Sequence, residues 1–341
     1  MKQLVIIGGG FAGSLAAKKL EKHFDTVFID TKDYFEFTPS VLRTIVEPEH
    51  AKKIQVLHSH YLHKAHLIRD EVTTITDKEV KTKKQSYPYD YLVIASGSKY
   101  ATPIKDSNLV ITARSHDLRN YAQKLKQSKQ ILIIGGGLVG IELAAEIACK
   151  FPKKEIILVH ASSELIERNP QKARNYAKRL LEDKGVNIIF NERVAVRDGI
   201  YKTKKYSFKP DIAFLCVGIM PNYEHLAPHC SISLDEKNSL CVNKYLQVQN
   251  HKNVFAAGDI TNIKEEKTAQ SAEKQAEVVV KNICRLDKGR ELKEYQTAQK
   301  PMVISLGKWN GILVYNNFIL TGIIPGLMKS IIEWKGMIKY R

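Results

Sequence analysis

The stretch KQLVIIGGGFAGSLAAKKL, residues 2–20, decides the fold of this chain. Its apolar start predicts a buried strand, the glycine-rich turn GGGFAG follows at residues 8–13, and a helix is predicted over Ser14–Lys22. A second predicted strand, Thr26–Ile29, ends at Asp30. A strand, a G-x-G-x-x-G turn, a helix and a strand that ends in an acid form the fingerprint of a dinucleotide-binding unit.

Each position of the fingerprint has a physical task. Gly8 permits the tight turn, Gly10 lets the backbone approach a pyrophosphate, and Gly13 lets the helix lie close to the strand. The free N–H groups of the helix N-terminus attract the phosphates. Asp30 can accept hydrogen bonds from ribose hydroxyls. The residues predicted to line this first site are Gly8, Gly10, Phe11, Ala12, Gly13, Asp30, Thr31 and Lys32.

The same pattern recurs 127 residues later. Gln130–Ile134 is a predicted strand, a second GGG-x-x-G turn follows, and a helix over Ile141–Lys150 leads to the strand Glu155–Val159. Two such sites in one chain indicate an enzyme that passes electrons between two redox cofactors. The residues predicted to line the second site are Gly135, Gly137, Leu138, Val139, Gly140 and His160.

The two copies differ at the end of the second strand, where His160 stands in place of Asp30. A carboxylate there would bind the 2′-hydroxyl of NADH and repel the 2′-phosphate of NADPH. A histidine leaves both dinucleotides open. It either takes part in the choice of cofactor or merely ends the strand.

Two further predicted strands run into turns of small residues, which let a backbone pass close to a bound cofactor. The first is YLVIASGS at residues 91–98, and FLCVG at residues 214–218 repeats the arrangement. The residues predicted to approach a cofactor there are Ala95, Ser96, Gly97 and Gly218.

Composition is typical of a folded, basic enzyme. The 341 residues are enough for about two domains, and 44% of them are hydrophobic. The net charge of +17 suggests either a solvated basic surface or contact with an anionic partner. Because no zinc-finger spacing or aromatic-interleaved basic module accompanies the lysines, we expect no nucleic-acid partner.

Cysteine and histidine spacing limits the chemistry. The five cysteines include no C-x-x-C or C-x-x-x-x-C, which suits a reducing compartment and disfavours a disulfide reductase. His58, His60, His63 and His66 cluster without an H-E-x-x-H pattern, so no metal site is expected. A cleaved signal peptide is not expected, because cleavage would destroy the first glycine turn.

The last forty residues have a different character. Phe318–Met328 is apolar but too short to span a bilayer. Helical spacing from Pro325 collects an apolar face with lysines beside it, which is typical of a helix lying on a membrane surface. Packing against the protein's own core or against a second subunit is the alternative. The residues of this face are Leu327, Ile331, Trp334 and Ile338, with Ile324 and Met328 beside them.

Seven stretches spread over the chain together identify a relationship. They are VIIGGGFAG (5–13), YLVIASGS (91–98), ILIIGGGLVGIELAAEI (131–147), LCVGIMPN (215–222), NVFAAGD (253–259), TAQSAEKQA (268–276) and SLGKWNG (305–311). In this order they resemble the two-dinucleotide FAD/NAD(P)-dependent oxidoreductases. Within that family the chain is similar to the type II NADH:quinone oxidoreductases and to the ferroptosis suppressor and apoptosis-inducing-factor-like group.

The resemblance implies an α/β fold with two Rossmann-like domains, FAD in the first site and NADH or NADPH in the second. It implies an FAD domain over 1–105 and 243–300, an inserted NAD(P)H domain over 106–242, and a C-terminal region over 301–341. It places Gly258, Asp259 and Ala269 at FAD. It also assigns catalytic positions to Glu142, in the first turn of the predicted second-site helix, and to Gln270 and Gln275. Lys274 replaces the first glutamine of the family's usual pair.

The function implied is transfer of hydride from NAD(P)H to FAD and of two electrons to a quinone or another small acceptor, without proton pumping. The expected location is peripheral, on the cytoplasmic face of a membrane or in the cytoplasm, with a homodimer as a possibility. Sulfide:quinone oxidoreductase activity is one alternative, which would need a cysteine pair beside the flavin. A redox sensor that responds to NAD(P)H is another.

Overall fold

A computed structural model describes residues 1–99, 109–111, 115–197, 200–226 and 232–341. Within these ranges the chain forms two five-stranded parallel sheets, several small antiparallel sheets and seven α-helices. The predicted α/β class with two Rossmann-like units is confirmed.

The elements are numbered in chain order over the described ranges. The strands are β1 (Gln3–Ile7), β2 (Asp25–Asp30), β3 (Tyr34–Glu36), β4 (Gln55–Leu57), β5 (His66–Arg69), β6 (Val72–Ile75), β7 (Glu79–Thr82), β8 (Ser86–Pro88), β9 (Tyr91–Ile94), β10 (Ser98–Lys99), β11 (Leu109–Ile111), β12 (Gln130–Ile134), β13 (Glu155–Val159), β14 (Val186–Ile189), β15 (Ala195–Arg197), β16 (Ile200–Lys202), β17 (Ser207–Phe208), β18 (Ile212–Leu215), β19 (Met220–Pro221), β20 (Val254–Ala256), β21 (Met302–Ser305), β22 (Gly311–Tyr315) and β23 (Phe318–Gly322). The α-helices are α1 (Phe11–Leu20), α2 (Ala51–Ile54), α3 (Ser115–Gln127), α4 (Leu138–Lys150), α5 (Gln171–Asp183), α6 (Ala269–Asp287) and α7 (Ile323–Ile338), and short 3-10 helices cover Thr38–Ile45, Pro48–His50 and His58–His60.

The two parallel sheets share the arrangement of four of their five strands, but the edge strand beside the fourth comes last in the chain in the first sheet and first in the second. The first runs β5-β2-β1-β9-β20 and the second β14-β13-β12-β18-β11. The chain leaves the first sheet after β9, builds the second, and returns with β20 pairing to β9. The second unit is therefore inserted in the first. The exact domain limits given above stay a prediction.

The central strands are buried on both sides, as near-continuous apolar runs require. Along β1, Leu4 and Ile6 face one hydrophobic cluster, whereas Val5 and Ile7 face another. In the second sheet, the side chains of β12 alternate in the same way between two hydrophobic clusters. Rigid central strands fix the glycine turns that follow them.

Both dinucleotide-site helices begin three residues earlier than predicted. α1 begins at Phe11 and α4 at Leu138, because Gly10 and Gly137 are the N-caps and the last glycine of each turn lies inside the helix. Glu142 is consequently the fifth residue of α4, so its predicted place in the first helical turn is wrong.

Residues 240–248 do not form a regular β-ladder. The structure has only isolated bridges there, one of which joins Val242 and Val248. The Asn243 side chain accepts hydrogen bonds from the N–H groups of Tyr245 and Gln247, and Leu246 has φ of +65°. A local turn thus replaces a ladder. By contrast, β6 and β7 pair as an antiparallel hairpin.

The C-terminal region adds the antiparallel sheet β21-β22-β23 and α7, which lies against it. Beyond α7, the Tyr340 ring stacks on Phe35 with centroids 4.1 Å apart and meets Tyr61 edge-on. The end of the chain is thereby tied to the first unit. Among the described residues no helix has both the length and the apolar content needed to cross a bilayer.

Candidate active site between the two sheets

A cavity of about 2330 Å³ extends along the carboxyl ends of the strands of both sheets. It is lined by both glycine turns, by the turn after β20 and by one side of α7. A pocket for one small molecule usually has a volume of about 300–1,000 Å³. This cavity therefore has room for more than one ligand.

The first glycine turn has a shape that lets a ligand approach its backbone closely. Gly8 has φ of +99°, and a Cβ atom there would lie 2.2 Å from the Ala95 carbonyl oxygen. A Cβ atom on Gly13 would lie 1.8 Å from the Gly8 carbonyl oxygen. Gly10 has no atom within 4 Å of its Cβ direction, so its backbone is open to the cavity. A pyrophosphate can therefore reach the N-terminus of α1.

The second glycine turn repeats this geometry. Gly135 has φ of +111°, and its Cβ atom would lie 2.6 Å from the Cys216 carbonyl oxygen. A Cβ atom on Gly140 would lie 1.8 Å from the Gly135 carbonyl oxygen, and Gly137 is open to the cavity. A second pyrophosphate could thus reach the N-terminus of α4.

Asp30 stands at the end of β2 with support from a chain of buried hydrogen bonds. His58 Nδ1 lies 2.6 Å from the Tyr61 oxygen, Tyr61 donates to Ser14 (2.9 Å), and Ser14 donates to the Gly9 carbonyl oxygen (3.1 Å). Asp30 Oδ2 lies 3.5 Å from His58 Nε2 and has no hydrogen-bond partner among the described atoms. It is free to accept a ribose hydroxyl.

Burial alone would raise the pKa of Asp30, but the contact with His58 and the charge of Lys32 outweigh it, so the pKa is lowered below its usual value. The group is a carboxylate at neutral pH. His58 came from the histidine cluster, for which the sequence suggested no role.

The turn after β20 is braced from α6. The Gly258 N–H group donates to Gln275 Oε1 (2.7 Å), and Ser98 donates to Asp259 Oδ2 (2.7 Å). Gln275 is buried, and its amide donates to Glu265 (2.7 Å). Gln275 therefore positions the Gly258 turn and does not itself line the cavity. Gln270 is exposed, lines the cavity and donates to the Pro301 carbonyl oxygen (3.3 Å).

Glu142 carries a contact that its sequence neighbourhood does not reveal. Its Oε1 accepts from the Ser305 N–H group (2.8 Å) and from Lys329 Nζ (3.2 Å). The Glu142 and Lys329 side chains are 15% and 11% exposed, and both line the cavity. α7 therefore supplies a nearly buried cation to the site.

An ion pair joins the 3-10 helix Thr38–Ile45 to α4, and a hydrogen bond joins α7 to His50. Arg43 Nη2 lies 3.0 Å from Glu146 Oε1, and His50 Nε2 lies 2.9 Å from Glu333 Oε2. Burial alone would raise the pKa of Glu333, but the hydrogen bond with His50, the nearby Ser40 hydroxyl and the positive potential of His50 and Arg43 lower it below the usual value overall.

Most of the predicted site residues meet in this cavity, although their individual roles stay predictions. Those that line it are Gly8, Gly10, Phe11, Ala12, Asp30, Thr31, Lys32, Ala95, Ser96, Gly97, Gly137, Leu138, Val139, Glu142, His160, Gly218, Gly258, Asp259, Ala269 and Gln270. Gly13, Gly135 and Gly140 stand behind the wall and shape the turns.

The described residues around the cavity offer few groups for metal or thiol chemistry. No three His, Cys, Asp or Glu residues among those described could hold a metal ion together. Of the described cysteines, Cys216 alone lines the cavity, where it is 6% exposed at the end of β18.

Comparison with known proteins places this geometry in a family. Residues 2–276 match the profile of the pyridine nucleotide-disulphide oxidoreductases. The chain belongs to this family. It is an FAD-dependent oxidoreductase with NAD(P)H as co-substrate, which confirms the predicted cofactors.

Curated relatives support the assignment over almost the whole chain. Apoptosis-inducing factor homolog B of Dictyostelium discoideum is 34% identical over 91% of this chain and 89% of its own length. Ferroptosis suppressor protein 1 of Xenopus tropicalis is 30% identical over 96% of this chain and 92% of its own length. The predicted resemblance is confirmed.

Solved structures share the fold at low identity. NDH2 of Plasmodium falciparum, in complex with NADH, has a TM-score of 0.88 at 15% identity, covering 99% of this chain and 96% of that one. The sulfide:quinone oxidoreductase of Aquifex aeolicus has a TM-score of 0.87 at 18% identity, covering 100% and 92%. These likenesses establish the fold alone.

The residues present fit the two cofactors. Gly10 and Gly137 offer open backbone at two helix N-termini, which suits two pyrophosphates. Asp30 keeps a buried carboxylate oxygen without a partner among the described atoms, which suits a ribose hydroxyl.

Proposed function

We propose that this enzyme oxidises NAD(P)H and reduces a quinone, working at a membrane surface. The observation that carries the proposal is the continuity of the cavity. One space is bordered by both glycine turns and by α7, whose other side is apolar and exposed. A route from the cofactors to a lipid-soluble acceptor would pass along α7.

Bound FAD would supply the chemistry, taking a hydride equivalent from NAD(P)H and giving two electrons to the quinone. The chain supplies binding and orientation. The N-termini of α1 and α4 bind the two pyrophosphates, and Asp30 holds a ribose. Gln275 fixes the Gly258 turn, and Gln270 borders the region where the acceptor binds.

Lys329 and Glu142 form the polar part of the acceptor site. A quinone that gains two electrons also takes up two protons, so its oxygens need a hydrogen-bond donor nearby. Lys329 holds a proton at Nζ on the cavity wall, and Glu142 keeps that side chain in place 3.2 Å away. The pair orients the acceptor and provides a positive charge where negative charge develops.

The outer side of α7 forms the membrane contact in this proposal. Ile323, Ile324, Ile331, Trp334 and Ile338 are each at least 54% exposed, whereas Lys329 and Met337 face inward and are buried. A helix that turns charge inward and apolar side chains outward is unlike an ordinary surface helix. A lipid surface would cover such a face, and the net charge of +17 would favour anionic headgroups.

The proposal is tested with one panel of assays. Purified enzyme is given NADH or NADPH with a water-soluble quinone, with a long-chain quinone in anionic vesicles, or with ferricyanide. Ile331→Glu places a charge on the apolar face, and Ser330→Glu adds the same charge at an exposed polar neighbour. We expect Ile331→Glu to lose vesicle binding and long-chain quinone reduction while it keeps activity with the soluble quinone.

These substitutions are sharper than removal of the C-terminal helix, because deletion would also remove Lys329 from the cavity. If NAD(P)H reduces the flavin but no quinone reoxidises it, quinone reduction is refuted. If the enzyme sediments as a dimer through Ile331 and ignores vesicles, a second subunit covers the face instead.

Sulfide:quinone oxidoreduction gains no residue-level support, because Cys216 stands without a second cysteine at the described cavity wall. A sulfide-dependent reduction of quinone that is lost in Cys216→Ser would nevertheless reverse that preference.

A further inference from the structure

His160 occupies the place in the second unit that Asp30 occupies in the first. Asp30 is the last residue of β2 and His160 directly follows β13, and each lies against the middle glycine of its turn. A Cβ atom on Gly9 would lie 2.1 Å from Asp30 Oδ2, and one on Gly136 would lie 2.9 Å from His160 Cγ. The ribose of a dinucleotide bound at α4 would therefore lie beside His160.

The hydrogen bonds of His160 fix its ring. The Gly136 N–H group donates to Nδ1 (3.0 Å), so Nδ1 carries no proton and the ring proton is on Nε2. Nε2 lies 3.2 Å from Glu167 Oε1. The imidazole thus connects the glycine turn to a carboxylate seven residues further along the chain.

Backbone contacts hold Glu167 in this position. The preceding residue, Ile166, has φ of +41°, a strained conformation for a β-branched residue. Its N–H group donates to the Gly136 carbonyl oxygen (2.9 Å), and its own carbonyl accepts from Asn169 N–H (2.8 Å). The Ile166 side chain is 4% exposed, which anchors the strained residue in the core.

We propose that Glu167 selects the nicotinamide dinucleotide and makes NADH the preferred co-substrate. This inference rests on the proposed NAD(P)H-dependent function and deepens it. Glu167 lines the cavity next to His160 and is 49% exposed, so it can accept a hydrogen bond from a ribose 2′-hydroxyl. A 2′-phosphate in the same place would meet a like charge. Glu167 thus replaces the carboxylate that the end of β13 lacks.

Arg168 is the cation that could oppose this preference. It is 86% exposed, and its Nη1 lies 3.6 Å from Glu266 Oε1, on the segment before α6. The structure therefore directs Arg168 towards Glu266, whereas Glu167 is the residue in contact with His160. The opposing possibility is tested directly by Arg168→Gln.

The experiment measures binding without turnover. Titration calorimetry gives the dissociation constants of NAD⁺ and NADP⁺ for the flavin-loaded full chain at low ionic strength. We expect NAD⁺ to bind about ten-fold more tightly than NADP⁺, from like-charge repulsion across a partly solvated gap of several ångströms. Glu167→Gln should bring the two constants within about three-fold, chiefly by tighter NADP⁺ binding. Glu182→Gln on α5 changes the net charge equally and should leave the ratio unchanged.

The outcomes separate the two proposals. Equal affinity for both dinucleotides in the unmodified enzyme, or tighter NADP⁺ binding that Arg168→Gln abolishes, overturns the role of Glu167 and leaves the quinone reductase proposal standing. An unchanged ratio in Glu167→Gln also overturns it. Binding of neither dinucleotide would refute the proposed function together with this inference.

Discussion

The pair Glu142–Lys329 offers the sharpest test of the site. At 3.2 Å and an effective dielectric constant of about 20, its Coulomb attraction is about 5 kcal/mol before desolvation is counted. Removal of one partner from a fully buried pair costs about 3–5 kcal/mol, and exposure to the cavity reduces this. We expect Lys329→Met or Glu142→Gln each to lower the free energy of unfolding by about 2 kcal/mol.

The double variant Glu142→Gln/Lys329→Met should be no less stable than either single variant, which gives a coupling energy of about 2 kcal/mol. Urea unfolding of the four proteins measures it, with Lys335→Met, an exposed lysine of the same helix, as the control. The two single variants and the double variant should also lower the rate of quinone reduction far more than the rate at which NAD(P)H reduces the flavin. Additive effects on stability, with coupling below about 0.5 kcal/mol, would refute the inferred pairing.

Three further outcomes are expected. His58→Leu should weaken flavin binding about ten-fold, because Asp30 loses the side chain that supports it. His60→Leu, at an exposed histidine, should leave flavin binding unchanged. Titration of the apoprotein with FAD, followed by fluorescence, measures both. Gly140→Ala should lower the free energy of unfolding by about 3 kcal/mol or more, since its Cβ would lie 1.8 Å from a carbonyl oxygen. Gly137→Ala should lower it by less than about 1 kcal/mol and yet weaken NAD⁺ binding. The lowered pKa of Glu333 means that its contribution to stability is present above its unfolded pKa of 4.5 and disappears as the pH falls through the folded value. In thermal melts, the deficit of Glu333→Gln relative to the unmodified enzyme should thus be largest at pH 7 and shrink as the pH falls below 4.5, and a deficit that does not change with pH would contradict this.

Local sequence patterns were sufficient for the two units. An apolar run, a glycine turn and a helix are neighbours in the chain, so their spacing predicts both the elements and the phosphate sites. The pattern misplaced the start of α1 and α4, because it treated the last glycine as the end of the turn. In the structure that glycine belongs to the helix, where only a missing side chain permits close contact with the first glycine of the turn.

Local sequence patterns could not predict the residue pairs that complete the site. Lys329 and Glu142 are 187 residues apart, and nothing in their spacing joins them. The position of Glu167 depends on the positive φ of Ile166. An isoleucine in a polar stretch of sequence does not predict such a backbone conformation. The apolar face of α7 was predictable from its period, but its outward direction was not, because an amphipathic helix alone does not reveal which side meets the protein.

The two-sided character of α7 has a thermodynamic consequence. Its inner face carries Lys329 and Met337 into the molecule, so the helix cannot change its outer environment without affecting the cavity wall. If a bilayer binds the outer face only while the helix is docked, binding and docking are linked, and the coupling is reciprocal. Vesicles should then raise the melting temperature of the enzyme, and a ligand that fills the cavity should tighten its attachment to vesicles.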